Sequence, residues 1–299
     1  MPELDDTERP HPGLHHVGRA LEVLDPGALT TVQDLGRPGW AHLGVPRSGA
    51  LDEPALRLAN RLVGNPESAA GLETTLTGVT FRLTRATAVA VTGARCAVRT
   101  GGRSASWGAA VSAPAGAEVQ VGPATDGLRS YVALAGGVDV GPVLGSRSTD
   151  LLSGLGPAPL RAGVRLPLGR AHRAPHGTEA VPRPLHGTLR LRLGPRAEWF
   201  TEAALAALDG SAYDVSADSN RIGLRLLGPV VERARGDELP SEGMVLGAVQ
   251  VPPNGQPVVF LHDHPTTGGY PVAGVVLGED LPVCAQARPG DRLTLRVVG

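Results

Sequence analysis

The chain has 299 residues, of which 41% are hydrophobic, and its formal net charge of −1 excludes a global basic field that would favour nucleic acid or acidic membranes. All 28 basic residues are Arg. The absence of Lys excludes a Schiff-base lysine, a biotinyl-lysine and the lysine of a phosphate-binding P-loop, so biotin or ATP would have to be carried or bound by another polypeptide.

The first residues, "MPELDDTERPHPGLHH", are polar and lack the apolar segment of a secretory signal peptide. We predict a disordered tail over residues 1–18. No apolar run reaches the roughly 18 residues of a membrane span, which favours a cytoplasmic protein. Cys96 and Cys284 are far apart and form no CxxC motif. Two reduced core thiols are favoured, and a disulfide between them stays open.

Short strands dominate the predicted elements. An alternation of apolar and polar residues, typical of antiparallel strands with one buried face, marks residues 87–93, 128–137, 187–194, 256–263 and 291–299. In 187–194, Leu189, Leu191 and Leu193 alternate with arginines. Asn254 and Gly255 lie between two apolar runs, which predicts a two-residue hairpin turn with positive φ at both positions.

Two helices are predicted. In "LDEPALRLANRLVGN" Asp52 can cap the helix, the apolar residues lie on one face, and Gly64 ends it. The second helix is predicted over residues 197–210, "AEWFTEAALAALDG", with Gly210 closing it.

A polar stretch with several prolines, residues 173–186, has the composition of a linker. It separates an N-terminal lobe, residues 19–172, from a C-terminal lobe, residues 187–299. Each lobe contains mainly antiparallel strands and one predicted helix. The predicted fold class is therefore mainly β, in two lobes with a few short helices.

The segment 29–78 concentrates polar side chains around Gly-Pro turns that lead into the first helix. Polar groups on such loops can converge on one ligand. The alternative for each residue is local turn chemistry, such as capping by Asp34 or Ser48. The polar residues concentrated in this segment are Gln33, Asp34, Arg37, His42, Arg47, Ser48, Asp52, Asn60 and Glu73.

A second candidate is "SADSNRIGLRLLG", residues 216–228, where Asn220 and Arg221 precede a strand. The guanidinium of Arg221 could hold a carboxylate as a fork. The alternative is a surface turn with an arginine at the edge of a strand.

The third candidate is "LHDHPTTGGYPVAGVV", residues 261–276. His262 and His264 would point to opposite faces of a strand, and no cysteine or carboxylate cluster joins them, so we predict no metal site. The hydroxyls of Thr266 and Thr267, followed by two glycines that can adopt positive φ, could form an anion-binding nest. The alternative is a tight turn with Tyr270 packed inward.

Several of these motifs occur together, in the same order, in a known family. They are "TVQDLGRPGWAHLGVPRSGALD", "LANRLVGNPESAAGLETTL", "VALAGGVDVGPVLGSRSTDL", "SNRIGLRL", "EGMVLGAVQVPPNGQPVVFL" and "TTGGYP". On these motifs residues 20–299 resemble the KipA family, the family of the 5-oxoprolinase C subunit, which is related to the carboxyltransferase region of urea amidolyase.

The resemblance implies two cyclophilin-like β-barrel lobes with a pocket between or beside them. It implies the opening of 5-oxoproline to glutamate, driven by ATP, together with a KipI-like partner and a LamB/YcsF-like partner. Two alternatives stay open. Some relatives transfer a carboxyl group from carboxybiotin to urea, and KipA-like proteins also antagonise their KipI-like partner as regulators.

A planar amide such as 5-oxoproline needs a hydrogen-bond donor for its oxygen, an acceptor for its N–H and a partner for its carboxylate. Asp34, His42 and Asp52 are the predicted catalytic residues, and each is a candidate for the base. We expect no metal, and ATP enters only through the complex. The predicted substrate-binding residues are Arg37, Ser48, Asn60, Asn220, Arg221, Gln250, Thr266, Thr267, Gly268 and Tyr270.

Overall fold

The computed structural model describes residues 18–175 and 187–299, and strands dominate both stretches. The predicted tail lies outside the described residues apart from Gly18, as do residues 176–186 of the predicted linker. The first stretch contains β1 (Ala20–Asp25), β2 (Leu29–Gln33), β3 (Gly71–Thr75), β4 (Val79–Leu83), β5 (Thr87–Thr100), β6 (Arg103–Ala105), β7 (Val111–Ala113), β8 (Glu118–Leu134) and β9 (Arg165–Pro167). The second contains β10 (Thr188–Leu193), β11 (Ala212–Val215), β12 (Gly223–Leu227), β13 (Glu242–Gly243), β14 (Ala248–Gln250), β15 (Val258–Phe260), β16 (Thr267–Gly268), β17 (Val272–Val276) and β18 (Arg292–Val298).

The prediction of a mainly β chain with a few short helices is confirmed. The five predicted strands correspond to β5, β8, β10, β15 and β18. Strands of the N-terminal sheet end at Pro167 and those of the C-terminal barrel begin at Thr188. The lobe boundaries at residues 172 and 187 stay a prediction.

The N-terminal sheet is built around its two longest strands, β5 and β8, which pair antiparallel from Val89 and Leu134 to Thr100 and Val119. Strand β8 pairs with β3 near one end and with β4 near the other. The strands therefore curve into a half-barrel. Its interior is filled by aliphatic side chains and Phe81, which is fully buried.

The C-terminal strands close into a barrel in the order β10-β17-β14-β15-β12-β11-β18. A ring with an odd number of strands cannot alternate in direction throughout, so one neighbouring pair has to be parallel. That pair is β10 and β18, with Leu191 opposite Val297. The other neighbouring pairs of this barrel are antiparallel, in agreement with the prediction of mainly antiparallel strands. Leu189 and Leu295 face inward from the two strands and are fully buried.

The described residues contain the helices α1 (Glu53–Leu62), α2 (Glu202–Leu208) and α3 (Leu281–Gln286), with 3₁₀ turns at Ala41–Leu43, Ala197–Trp199 and Gly278–Asp280. Helix α1 begins and ends as predicted. Asp52 Oδ1 accepts a hydrogen bond from the Ala55 amide at 3.1 Å, and Gly64 adopts a φ of 75° just after the helix.

Two local predictions are wrong. The single helix predicted over 197–210 is interrupted at Phe200, whose backbone is extended, and the Thr201 hydroxyl then caps α2 by accepting from the Ala204 amide. The two-residue hairpin at Asn254 is also absent, since only Gly255 has positive φ and the strands already end at residues 250 and 258. The consecutive prolines 252 and 253 lack the N–H donors that a longer ladder needs.

At the interface, each lobe places a side chain in contact with the interior or backbone of the other. Leu51 of the N-terminal lobe is 2% exposed and packs into the core of the C-terminal barrel. In return, Gln286 of α3 reaches β8, where its Oε1 accepts hydrogen bonds from the Leu128 and Arg129 amides, both at 3.0 Å. Cys96 and Cys284 are free thiols. Among the described residues no helix is long and apolar enough to cross a membrane.

Candidate functional site

The interface between the lobes contains a buried network of charges centred on Arg221. An Asx turn sets the direction of this residue, because Asn220 Oδ1 accepts from the Ile222 amide at 2.8 Å. Arg221 is 1% exposed. Its Nε and Nη2 donate to the two oxygens of Asp263 at 2.9 and 3.0 Å, Nη1 donates to Glu73, and Nη2 also reaches the Gly49 carbonyl at 2.7 Å.

Glu73 joins the two lobes on the other side of this network. Its Oε2 accepts from the Leu51 amide at 3.0 Å and from the Tyr131 hydroxyl at 2.8 Å. Burial raises the pKa of Glu73, but Arg221 and Arg129 outweigh burial and bring the pKa below its usual value. Burial lowers the pKa of Arg221, but the carboxylates of Glu73 and Asp263 outweigh burial and raise the pKa above its usual value. The network is therefore ionised at neutral pH.

The loop 34–52 supplies a second buried set of polar groups. Asp34 accepts from the hydroxyls of Ser146 and Ser148, both at 2.6 Å. Arg37 donates to the Ser148 carbonyl. Ser48 has a positive φ of 55°, and its Oγ lies 2.8 Å from the Thr149 carbonyl and 3.1 Å from Asp263 Oδ1.

The structure thus brings Ser48, Asp52 and Arg221 to the interface, together with Asn220, which orients Arg221. Asp34 and Arg37 are buried in the adjoining loop and are bonded within the N-terminal lobe. Protein atoms hydrogen-bond each of these side chains. Arg221 was predicted to hold the carboxylate of a ligand. In the structure it holds the carboxylates of Glu73 and Asp263 instead. Direct contact of these residues with a substrate stays a prediction.

The other predicted site residues lie apart from the network. His42 is exposed on the first 3₁₀ turn, with Nδ1 3.1 Å from the Gly39 carbonyl. Asn60 is buried in α1 and holds the following loop, since its Nδ2 donates to the Ala69 carbonyl at 2.8 Å and its Oδ1 accepts from Asn65 at 3.0 Å.

Thr267 and Gly268 form β16 of the short ribbon with β13, where Gly268 pairs with Glu242, and Thr266 and Tyr270 lie on either side of this strand in the chain. Gln250 lies behind this ribbon and donates to the Tyr270 carbonyl at 3.2 Å. The expectation of a nest with positive φ at the two glycines is wrong, because neither Gly268 nor Gly269 has positive φ. Gly268 instead leaves room for the Gln250 side chain, since a Cβ atom there would lie 2.7 Å from Gln250 Nε2.

Two clefts open beside the network, on either side of Pro54 and Pro282. The first, which we call the His262 cleft, has a volume of about 370 Å³ and is lined by charged residues of α1 and its preceding loop and by residues 246, 262, 278, 281 and 282 of the C-terminal lobe. The second, which we call the Trp107 cleft, has a volume of about 290 Å³ and contains Asp52, Thr92 and Gln286.

His262 is the polar residue of the first cleft that sequence reasoning missed. It is 3% exposed, its Nε2 lies 3.5 Å from Glu53 Oε1, and neither ring nitrogen makes a hydrogen bond with the residues described by the structure. Burial lowers the pKa of His262, while Glu53 opposes that change. The ring is therefore neutral at pH 7 and can accept or donate a proton.

Glu53 lies between two arginines in the same cleft. Its Oε1 is 2.7 Å from Arg47 Nη2, and its Oε2 is 3.4 Å from Arg57 Nη2. Burial raises the pKa of Glu53, but the neighbouring His262 and Arg47 lower it below its usual value. The cleft thus combines a neutral base, a carboxylate and two guanidinium groups. This set can bind a small acid and exchange a proton with it.

Only weak sequence signals pointed to this set. Glu53 has the pattern of an ordinary first-turn residue of α1, and His262 was considered only as a metal ligand. Within the described residues no group of three His, Cys, Asp or Glu side chains could hold a metal ion.

Comparison with known proteins identifies the family. Residues 43–297 match the model of the carboxyltransferase domain, subdomain A and B. The chain is 41% identical to the 5-oxoprolinase C subunit of Escherichia coli over 89% of this chain and 87% of that protein.

Two solved structures have the same fold. The crystal structure of TTHA0988 matches with a TM-score of 0.84 and 38% identity, covering 94% of this chain and 56% of that one. That of K. lactis urea amidolyase matches with a TM-score of 0.85 and 30% identity, covering 92% of this chain but 18% of that one. These matches cover both lobes. The chain therefore belongs to the carboxyltransferase subdomain A and B family and is a relative of the 5-oxoprolinase C subunit.

Proposed function

We propose that this chain is the C subunit of an ATP-dependent 5-oxoprolinase complex, which opens the lactam of 5-oxoproline to glutamate together with KipI-like and LamB/YcsF-like subunits. The observation that carries the proposal is the 41% identity to the E. coli C subunit over nearly the full length of both chains. The His262 cleft supports it, because its polar groups suit a small carboxylic acid.

The proposal assigns ATP to the assembled complex, which we expect to be cytoplasmic. The chain has no Lys and therefore no P-loop lysine of its own to hold a nucleotide phosphate. We expect the isolated chain to be inactive on 5-oxoproline for this reason.

The test is reconstitution. The three purified subunits are mixed with ATP and 5-oxoproline, and glutamate release is measured with each subunit omitted in turn. We expect release only from the complete mixture. Release at the full rate without this chain would overturn the proposal, and tight binding of the chain to the KipI-like subunit in that case would indicate a regulatory role.

A second candidate is carboxyl transfer, which is favoured by the likeness to urea amidolyase at a TM-score of 0.85. The biotin would have to be attached to a separate carrier protein, since this chain has no Lys to carry it. Transfer of labelled carboxyl from free carboxybiotin to urea in the presence of this chain would support this function. The absence of transfer, combined with glutamate release by the complex, would exclude it.

A further inference from the structure

We propose that the His262 cleft is the binding site for the lactam acid, with Arg47 and Arg57 holding its carboxylate and His262 accepting a hydrogen bond from its ring N–H. This inference depends on the proposed function, because it names the site at which the complex would hold 5-oxoproline.

Unpartnered polar atoms are the first observation behind this inference. Two buried polar atoms in the lining of this cleft lack a hydrogen-bond partner among the described residues, Arg47 Nε and His262 Nδ1, while His262 Nε2 faces Glu53 Oε1 at 3.5 Å. Buried donors and acceptors without partners are costly and rare in folded proteins. Their concentration at one cleft indicates a site where a ligand supplies the missing partners.

The charge of the cleft is the second observation. Its lining carries two guanidinium groups, one ionised carboxylate and a neutral imidazole, which leaves one positive charge. One ligand carboxylate neutralises it. Arg47 and Arg57 flank Glu53, so their remaining N–H groups are available to a second carboxylate. Arg57 also meets Glu67 at 3.2 Å, and Arg47 is therefore the less neutralised of the two.

The tautomer of His262 supplies the acceptor. Because Nε2 faces the ionised Glu53 at 3.5 Å, the proton of the neutral ring belongs on that nitrogen. The other ring nitrogen is then an acceptor that matches a lactam N–H. Leu51, Leu246 and Pro282 provide the apolar wall that the methylene groups of a small ring require.

The Trp107 cleft fits this ligand less well, because its polar side chains Asp52, Thr92, Trp107 and Gln286 are already partnered within the protein. Gln286 Nε2 donates to Asp52 Oδ2 at 2.9 Å, Thr92 donates to the Ala55 carbonyl at 2.7 Å, and Trp107 donates to the Ala94 carbonyl at 3.1 Å. Arg95 lies over the Trp107 ring at 5.5 Å and serves as a matched control arginine in this neighbouring cleft.

The experiment measures KM for 5-oxoproline in the complete complex with Arg47→Ala, Arg57→Ala, His262→Gln and the control Arg95→Ala. Each of the first three should raise KM roughly tenfold or more, since each removes a hydrogen bond in which the ligand or the protein group is charged or buried. Arg95→Ala should leave KM unchanged. The side chains of Arg47 and Arg57 are 34% and 36% exposed, so these two variants should fold even if His262→Gln does not.

Ligand analogues separate the two contacts. Inhibition by 2-pyrrolidinone, which has no carboxylate, should be unaffected by Arg47→Ala and Arg57→Ala. Inhibition by N-methyl-5-oxoproline, which has no N–H, should be unaffected by His262→Gln. Unchanged KM for 5-oxoproline in all three variants, or an increase only in Arg95→Ala, would overturn the inference while leaving the proposed function intact.

If the complex releases no glutamate, a direct binding measurement tests the proposed site. We titrate 5-oxoproline into the wild-type chain and into Arg57→Ala and monitor each titration by NMR. The wild-type chain should bind 5-oxoproline, and Arg57→Ala should lose this binding. Absence of binding to the wild-type chain, with the complex inactive, would overturn both the inference and the proposed function.

Discussion

Arg221 shows how a correctly identified side chain can bind a different partner from the one expected. Its position after Asn220 predicted a fork for a carboxylate, and it does hold carboxylates, but they are Glu73 and Asp263 of the chain itself. A sequence cannot distinguish a ligand carboxylate from one brought close by folding, because Glu73 lies in the other lobe.

The first prediction concerns the stability that depends on this residue. Arg221→Ala should lower the free energy of unfolding by about 3–5 kcal/mol, because it removes the guanidinium that binds the buried carboxylate of Asp263 and leaves Glu73 with only Arg129, at 3.7 Å. Arg82→Ala is the control; its pair with Glu118 is 44% and 42% exposed, so the loss should stay below about 1 kcal/mol. Urea denaturation measures both. Equal, small losses would contradict an ionised interface.

The second prediction concerns pH. Burial lowers the pKa of His262 from its usual 6.5, with Arg47 and Arg221 adding to this and Glu53 opposing it. The His262 imidazole takes up a proton more readily in the unfolded chain than in the folded protein. The folded protein should therefore lose stability as the pH falls below 6.5. His262→Gln should lose less stability than wild type between about pH 7.5 and about pH 5.5 in urea titrations. The same loss of stability in wild type and His262→Gln would show that His262 is not held neutral. The control is His172→Gln, at an exposed position, which should lose as much stability as wild type over this pH range.

At the scale of elements, local sequence signals were sufficient where local chemistry decides the structure. Helix α1 begins at the Asp52 cap and ends before Gly64 because both are backbone requirements of that segment. The segment 197–210 failed because Phe200 is extended and 4% exposed within the barrel core. Tertiary packing there overrode a helical pattern that was otherwise consistent.

The third prediction tests the Asp52 cap. Asp52→Ala removes both the bond to the Ala55 amide and the bond to Gln286, and should lower the free energy of unfolding by about 1–2 kcal/mol. Asp52→Ser keeps a hydroxyl that can cap α1 and should recover about half of that loss. Thermal or urea unfolding distinguishes them. If the two variants are equally destabilised, the helix cap contributes nothing measurable.

At the scale of the whole molecule, the chain is held as one unit by reciprocal contacts. Leu51 enters the core of the barrel, Gln286 binds the backbone of β8, and Arg221 reaches Glu73. The sequence predicted two β lobes, but not the parallel seam that closes an odd-numbered barrel or the approach of His262 to Glu53. Both depend on residues far apart in the chain.

The fourth prediction follows from these contacts: the two lobes should unfold in a single transition. The double variant Trp40→Phe, Trp107→Phe leaves Trp199 as a reporter of the C-terminal lobe, and Trp199→Phe leaves reporters in the N-terminal lobe only. Fluorescence should give the same urea midpoint for both, once corrected for any change in stability measured by circular dichroism. Separate midpoints would contradict an integrated interface.

The most direct test of the account is to observe the His262 ring while the ligand binds. The chain has nine histidines, and their ring signals can be followed by heteronuclear NMR with His262→Gln as the assignment variant. Addition of 5-oxoproline should shift the His262 signals and leave those of exposed histidines such as His42 unchanged. Saturation with 5-oxoproline that leaves the His262 signals in place would contradict the account.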